Sequence, residues 1–549
     1  MSFSELQNAL REKVLQTAKE VFNVELEQVV AEVPPKTELG DLAFPIAFEL
    51  AKQIKQATGE KQNPRNIAET LKSALESFDF VGKVEVAGAG YLNVFFNRTK
   101  FLEENSGNNF LKIADKNAPK VCVEHTSVNP NKAAHIGHVR NSVLGDTFVR
   151  ILRANGKRVE IQNYIDNTGV QVADVVVGFI HLEKMDLGDI MRLDARLQAE
   201  NKSFDYFCWD LYTKVGQEYA ENEELKATRA GVLAMIEEGN NPTAAIGSYV
   251  ALRNVQCILQ TMERLSIRYD LLPCESEILY LHFWQKAFEL MIQRGVIHLE
   301  TTGKHAGCWV MPFESHTTND DHEANKILVR SNGTVTYTGK DIAYQMWKLG
   351  LLGLDFNYNL FHTYSDGKEV WITTAEESQY ETQPEFGHGE TVYNVIDSRQ
   401  SYPQEVVRKG VAAIFPEKGE AASVHLSYEM VALSALAAEE LGLRLTEEDK
   451  ERPFVEMSGR KGWGVKADDL INRLEENALK EVSEREKERL AKKPDETPLT
   501  DEQQKLISHQ LAVGALRYFL LKFTRNTLII FDFKEALANE GETGAYCQN

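Results

Sequence analysis

The sequence predicts an α/β protein organised on an open parallel sheet, and three observations predict it. Val121-Cys122-Val123 has the character of a short strand, and from Val139 the residues Val143, Leu144, Phe148, Ile151 and Leu152 recur at helical spacing until Asn155-Gly156 stops the run. Val159-Glu160-Ile161-Gln162-Asn163-Tyr164-Ile165 then alternates as a second strand. Strand, loop, helix and strand in that order is the repeating unit of a Rossmann-like sheet, in which ligands lie at the carboxyl ends of the strands.

Around that unit the chain has 549 residues, long enough for three or four domains with ample apolar content for their cores. The boundaries fall at a small N-terminal α/β domain over 1–105, a catalytic domain over 118–470 with a helical insertion about 172–268, and a helical region over 471–549. In the first domain 3–21 reads as a helix and 42–54 as another, with Val84-Glu85-Val86 and Tyr91-Leu92-Asn93-Val94-Phe95 as strands around Gly88-Ala89-Gly90. Residues 105–119 are polar with Asn, Gly and Pro, which suits a linker. A formal net charge of -21 argues by itself against non-specific nucleic-acid binding, although a basic path can coexist with acidic flanks. The six cysteines are scattered, without a zinc or disulfide spacing, so no protein-bound metal is expected and a reducing cytoplasm fits best. No stretch has the apolar core of a signal peptide or the length to span a bilayer, so no membrane partner is expected.

The chemistry concentrates in Glu124-His125-Thr126-Ser127-Val128-Asn129-Pro130-Asn131-Lys132-Ala133-Ala134-His135-Ile136-Gly137-His138. His135, Gly137 and His138 stand where the helix begins, and a helix start offers unpaired amide groups and a positive dipole end that suit phosphate. Two histidines there can donate hydrogen bonds to developing charge, and Gly137 leaves room for a nucleotide against the backbone. Taken alone, His-x-Gly-His also fits an ordinary surface turn. The whole run resembles the signature of class I aminoacyl-tRNA synthetases in the form Ser-x-Asn-Pro-x-Lys-x-x-His-x-Gly-His typical of arginyl-tRNA synthetases, matched by Ser127, Asn129, Pro130, Lys132, His135, Gly137 and His138. Thr37-Glu38-Leu39-Gly40-Asp41-Leu42-Ala43 likewise resembles the family's N-terminal extension, which packs on the outer corner of the tRNA.

Further along, Asp166-Asn167-Thr168-Gly169-Val170-Gln171 is a loop at the end of the second strand, either a plain turn or, as the resemblance implies, an aspartate loop near the nucleotide. Tyr269-Asp270 and Glu275-Ser276-Glu277 resemble the point where the family's chain re-enters the sheet. Val335-Thr336-Tyr337 reads as strand-like after the turn Ser331-Asn332-Gly333, and Lys340-Asp341-Ile342-Ala343-Tyr344-Gln345 opens a helix. On its own Asp341 also fits a helix cap or first-turn acid. The family pattern Tyr-x-x-x-Asp, met by Tyr337 and Asp341, implies an arginine site, and Glu124 matches a second acid. A guanidinium is a planar fork of donors that needs carboxylates at its edge, a geometry that holds an ammonium poorly. The resemblance further implies Asn129 and Ser127 at the α-amino end and Gln400 as a neutral contact.

Val455-Glu456-Met457-Ser458-Gly459-Arg460-Lys461-Gly462 resembles the second class I signature in degenerate form, with Glu456 and Gly459 where its lysines would stand; a basic surface loop is the alternative reading. The family implies that Lys132 compensates, with Arg460 and Lys461 available for phosphate and Met457 and Ser458 beside ATP. Residues 472–493 read as a densely charged, solvated helix. Leu511 to Tyr518 and Phe531 to Leu537 resemble the first helices of the family's anticodon-binding domain, and since the family continues beyond this point the domain is expected to be incomplete and the chain truncated.

The function implied is ATP-dependent ligation of L-arginine to tRNA(Arg) through an arginyl-adenylate, by a cytoplasmic monomer, with Mg²⁺ accompanying ATP. Catalysis falls to Lys132, His135, His138, Arg460 and Lys461. The rival is a catalytically impaired synthetase-like paralogue that binds tRNA or protein; a small-molecule adenylyl transferase is a third option, disfavoured by the flanking domains.

Overall fold

The computed structural model of the chain describes every residue except 1–2, 27, 35, 107–113, 313–324, 334, 441, 443–444, 456–463, 537, 539–543, 545–546 and 548–549, and the side chains of Asn325 and Tyr337. It forms two compact units, Met1–Lys112 and Ile113–Asn549.

In the first unit, helix α1 (Phe3–Phe22) turns Leu6, Leu10, Val14 and Ala18 inward, one residue per turn. Strand β1 (Leu42–Phe44), helices α2 (Ile46–Thr58) and α3 (Pro64–Glu76), strands β2 (Val81–Ala87) and β3 (Tyr91–Phe96), and helix α4 (Arg98–Asn105) complete it. The strands pair antiparallel in the order β1-β3-β2, and their inner face shares a core with all three longer helices. The helix expected from Leu42 divides here. Leu42-Ala43-Phe44 is buried throughout and pairs with Leu92–Val94, and Pro45, which has no amide hydrogen to give a ladder, ends the strand and caps α2.

The second unit opens with the strand–helix–strand element anticipated above: β4 (Lys120–Glu124), α5 (Ile136–Ala154) and β5 (Arg158–Gln162), the strands parallel and in register from Lys120↔Arg158 to Glu124↔Gln162. Asn155 caps α5 and Gly156, at φ 77°, turns the chain in a conformation that glycine adopts without strain. Helices α6 (Val170–Val177), α7 (Leu187–Ala199), α8 (Phe204–Glu221), α9 (Glu223–Glu238) and α10 (Pro242–Arg264) follow, with a core of their own around Phe179, Phe204 and Leu211. The chain rejoins the sheet at β6 (Leu271–Leu272) and continues through α11 (Glu275–Tyr280), α12 (Phe283–Gln293) and a small antiparallel sheet of β7 (His298–Leu299), β8 (Trp309–Pro312) and β9 (Asn325–Val329). Next come α13 (Tyr337–Lys348), β10 (Asn357–Thr363), β11 (Glu369–Thr374), β12 (Thr391–Asp397), α14 (Ser401–Ile414), β13 (Ser423–Tyr428) and β14 (Val431–Leu433). The last elements are α15 (Ala435–Glu440), α16 (Glu447–Glu451), α17 (Ala467–Lys492), α18 (Asp501–Leu521), β15 (Ile529–Phe531) and α19 (Phe533–Ala536).

The main sheet has seven strands in the order β10-β11-β6-β5-β4-β12-β13, parallel except for the β10–β11 hairpin. Both faces are covered. On one, Val139 and Val143 of α5 pack with Leu470 and Leu474 of α17 and Leu516 and Phe519 of α18; on the other, Met346 and Trp347 of α13 pack with Phe283 of α12 and Val407 of α14. This is a doubly covered, Rossmann-like sheet, as the sequence predicts.

Three local expectations differ. Val335 makes a single bridge to Val329, Thr336 is the cap of α13, and Tyr337 opens that helix rather than closing a strand. The charged run from 472 is one face of α17, whose Leu470, Leu474, Ala478 and Val482 are buried every fourth residue against α18, so it is an amphipathic wall and not a solvated rod. Phe531 ends a strand that runs parallel to β14 rather than opening a helix, and the helix that follows is described over Phe533–Ala536.

Candidate active site

The carboxyl ends of β4 and β12 and the start of α13 enclose a cavity of about 380 Å³, within the range of small-ligand sites. Glu124, the last residue of β4, is buried at its floor. Directly after it the backbone takes a left-handed path at Thr126 (φ 75°) and Ser127 (φ 42°), conformations that cost a non-glycine residue roughly 1–3 kcal/mol each. Hydrogen bonds hold it there. Thr126 N donates to Asn141 Oδ1 at 2.5 Å, Thr126 Oγ1 meets Tyr269 OH at 2.7 Å and Ser142 Oγ at 2.9 Å, and Ser127 N donates to Asn163 Oδ1 at 2.9 Å. At roughly 1 kcal/mol each, these bonds match the strain in size. The kink turns Ser127 and Asn129 into the cavity, and Ser127 Oγ donates to Glu124 Oε1 at 3.3 Å.

His135 is the cap of α5 and His138 stands three residues on, in its first turn. His135 Nδ1 accepts from Gly137 N and His138 Nδ1 accepts from His135 N, both at 3.1 Å, and the rings stack 3.6 Å apart at 17°. Accepting at Nδ1 leaves the proton of each neutral ring on Nε2, so both histidines present an Nε2–H donor. Burial, reinforced by the Lys132 charge, pushes His135 down to about 3 and His138 well below the usual range, so both are neutral at pH 7. The first-turn amides are less open than the sequence suggests: Ile136 N donates to Val465 O at 3.3 Å and Gly137 N to His135. What α5 offers an anion is its dipole and two imidazole donors.

Lys132 leans over Trp209 and Tyr212 of α8, its Nζ 5.7 and 4.9 Å from their ring centres, and burial lowers it to about 8. Of the second signature, Met457, Ser458, Arg460 and Lys461 lie outside the described residues. Its flanks are placed. Val455 bridges Leu433, and Lys466 bridges His135, with Ala467 N donating to Ala134 O at 2.7 Å, so the chain leaves the second signature alongside the first.

Helix α13 supplies the opposite wall through Asp341, Tyr344, Gln345 and Lys348, spaced three, four and seven residues from the first and therefore on one face. Tyr337 precedes Asp341 by one turn of the same helix. Asp341 accepts no hydrogen bond from the described residues, and burial, with the Glu275 and Glu124 carboxylates nearby, pushes it up to about 7. Asp166, in the loop after β5, lines the same cavity; burial and a hydrogen bond with Glu275 push it up to about 8, and among the described residues its Oδ1 is buried without a partner. Gly169 leaves room for it, because a Cβ there would lie 2.5 Å from the Asp166 carboxylate oxygens and displace that side chain. Glu275 itself accepts from Lys340 at 3.0 Å. Gln400 is exposed at the rim, in the turn between β12 and α14.

The structure therefore brings Glu124, Ser127, Asn129, His138, Asp341 and Gln400 around one cavity, with His135 stacked behind His138. Lys132 is not among the residues that line it. Among the lining residues to which sequence reasoning gave no role are Lys348, which donates to Glu124 Oε2 at 2.7 Å; Asn394 on β12; and Tyr344, whose OH donates to Gln162 Oε1 at 2.7 Å. The stripe from Asp341 to Lys348 is the signal that could have found two of them. A further omission, outside the lining, is Arg140 of α5, fully buried with no described residue accepting from its guanidinium nitrogens.

Arranged in this way, the cavity can hold a small ligand with a positive end near Asp341 and Asp166 and a reacting end under the histidine donors. The family described as "Arginyl tRNA synthetase N terminal domain" matches residues 4–96, and "tRNA synthetases class I (R), catalytic domain" matches residues 102–375. The chain is 34% identical to the arginine–tRNA ligase of Thermococcus sibiricus over 95% of its own length and 76% of that protein. It is 33% identical to the enzyme of the same name from Deinococcus radiodurans, over 94% and 75%. Among solved structures, the arginyl-tRNA synthetase of Thermus thermophilus superposes with a TM-score of 0.74 at 30% identity, covering 99% of this chain and 80% of that one.

Proposed function

Because the chain belongs to the arginyl-tRNA synthetase family, we propose that it is an arginine–tRNA ligase whose 380 Å³ cavity binds L-arginine and places its carboxylate for reaction with ATP. The observation that carries the assignment is the cavity itself: the histidine signature and the carboxylates of Asp341 and Glu124 reach it from separate parts of the chain.

The guanidinium lies between Asp341 and Glu124, where a planar fork can engage carboxylate oxygens in two directions, and Asp166 stands beside them as a further acid. Tyr337 belongs to the Asp341 side by its place one turn before that residue. Ser127 and Asn129 take the α-amino group and Gln400 closes the rim. The arginine carboxylate attacks the α-phosphate of ATP, the bond from that phosphorus to the bridging oxygen breaks, and pyrophosphate leaves. ATP brings Mg²⁺ with it as part of the substrate. Negative charge grows on the phosphate oxygens in the transition state, and the Nε2–H groups of His135 and His138 donate to it from the positive end of α5. Lys132, Arg460 and Lys461 add positive charge, and Met457 and Ser458 contact the nucleotide. A hydroxyl of the terminal adenosine of tRNA(Arg) then attacks the arginyl-adenylate and releases AMP. Among the described residues no helix is long and apolar enough to cross a membrane. A cytoplasmic monomer of the three-part organisation set out above fits these residues and partners, and no observation favours a binding-only role.

Arginine-dependent ATP/pyrophosphate exchange, with and without tRNA and with lysine as the control amino acid, tests the assignment. Exchange that needs arginine and tRNA is the expected result; exchange with lysine in place of arginine, or none with tRNA present, would overturn it.

A further inference from the structure

Lys132 is held by rings rather than by a counter-charge. Its ammonium donates to Asn131 Oδ1 at 3.3 Å, and among the described residues no carboxylate pairs with it. What faces it is α8. The ring centres of Tyr212 and Trp209 lie 4.9 and 5.7 Å from Nζ, inside the distance of roughly 6 Å at which an aromatic face attracts a cation. Lys466, which follows the second signature, rests on the same helix, 4.1 Å from the Tyr206 ring and 5.8 Å from Trp209, and it has Asp210 Oδ1 at 3.6 Å besides. Tyr206, Trp209 and Tyr212 are three residues apart and share one face of α8. Two lysines, one from the first signature and one from the segment after the second, therefore lie along a single aromatic stripe.

Trp209 is the member that both lysines share. It is only 4% exposed, and it packs so closely on Gly464 that a Cβ there would come within 2.3 Å of the indole Cζ2. Backbone bonds fix the same three segments to one another: Ala133 N donates to Asp205 O in the first turn of α8 at 3.2 Å, and Ala467 N donates to Ala134 O. The indole is thus a wall between Lys132 and the chain that leaves the second signature. A lysine stem has four rotatable carbons and settles its ammonium only where something holds it. That position matters here, because the sequence has Glu456 and Gly459 where the second signature would carry lysines.

We propose that Trp209 is a positioning residue for amino-acid activation: its indole face, with the Tyr212 ring, holds the Lys132 ammonium in place, and its contact with Gly464 ties that place to the segment leaving the second signature. Trp209 acts through Lys132 and touches no substrate. The helical insertion, through α8, is in this way part of the machinery of the first reaction step. The inference rests on the role given to Lys132 in the proposed reaction.

The test measures tRNA-supported, arginine-dependent exchange for wild type, Lys132→Met, Trp209→Phe, Trp209→Leu and the double variant Trp209→Leu/Lys132→Met. Lys132→Met should lower kcat; an undiminished kcat would remove Lys132 from the reaction, and the role of Trp209 with it. Given that loss, Trp209→Leu, which keeps apolar bulk without a ring face, should lower kcat about 10-fold and change the arginine KM less than about 2-fold. Trp209→Phe, which restores a face, should recover most of that loss. In the Lys132→Met background Trp209→Leu should cost nothing further, because the interaction it breaks is already gone. A mere packing role predicts the same loss with and without Lys132, and that result, or a Trp209→Leu chain as active as wild type, would overturn the proposal while leaving Lys132 in the reaction. If Trp209→Leu does not fold, Tyr212→Leu is carried through the same cycle with the same expectation. Failure of both leucine variants to fold would show the two rings to be packing elements and sink the inference.

Discussion

Asp341 carries the clearest consequence at the scale of a single residue. Its carboxyl is pushed up to about 7 in the free protein, and a bound guanidinium favours the ionised form, so binding expels a proton below that pH. Arginine affinity should rise as pH increases from about 6 to 8, while affinity for citrulline, which is neutral, should not; titration calorimetry at several pH values reads both. The stability effect has the opposite sign. A carboxyl whose folded value is raised contributes stability below its unfolded value, near 4, and loses it as pH climbs to about 7. Asp341→Asn should therefore unfold later than wild type at pH 8, by about 2 kcal/mol, and still fail to bind arginine. His138 gives a second expectation: as a neutral donor to charge that exists only in the transition state, its change to Ala should cut the activation rate about 100-fold or more and leave arginine affinity nearly unchanged. Because both signature histidines stay neutral, the pH profile of activation should show no break near 6.5 from either. Glu124, Ser127, Asn129 and Asp341, which the family pattern singles out, meet around one cavity. Lys348 was not legible in the sequence, because its meaning depends on Glu124 and Asn394, which fold onto it from 224 and 46 residues away.

Among the elements, α5 shows how a local rule and a tertiary contact can disagree. Gly145 lies in the middle of it, where Ala would be worth about 1 kcal/mol in helix propensity. A Cβ at that position would come within 2.3 Å of His125 Cγ, and His125 is wholly buried. Overpacking of that kind outweighs propensity, so Gly145→Ala should lower stability by about 1–3 kcal/mol, measured by urea unfolding. The same conflict explains which elements the sequence revealed. β4, α5 and β5 were readable because strand period, helix period and stop signal agree there. Leu42-Ala43-Phe44 was not, since three apolar residues satisfy either period and only pairing with Leu92–Val94 decides. The burial of Leu470, Leu474, Ala478 and Val482 in α17 was hidden by the charged residues between them, which dominate composition without occupying the packed face.

Across the whole molecule, the residues 1–112 close a core of their own, in which Leu10, Leu50, Leu71 and Val94 are fully buried. A fragment of those residues should fold alone, with a cooperative thermal transition and dispersed amide resonances; a featureless melt would show that its core needs the rest of the chain. The doubly covered sheet was legible in its class but not in its strand order, because order is set by contacts between segments that share no local pattern. The position of β4 between β5 and β12 has a consequence in time. One neighbour of β4 follows within some forty residues, but Thr391, which opens the other, is translated about 270 residues after the strand it must join. At the pace of a ribosome, roughly 5–20 residues per second, the edge of the strand that ends in Glu124 waits about 13–50 s without its partner. During that interval it is an open template for any passing strand. A protein assigned to supplying the ribosome with charged tRNA thus spends part of its own synthesis as a client for chaperones, until β12 arrives to close the sheet.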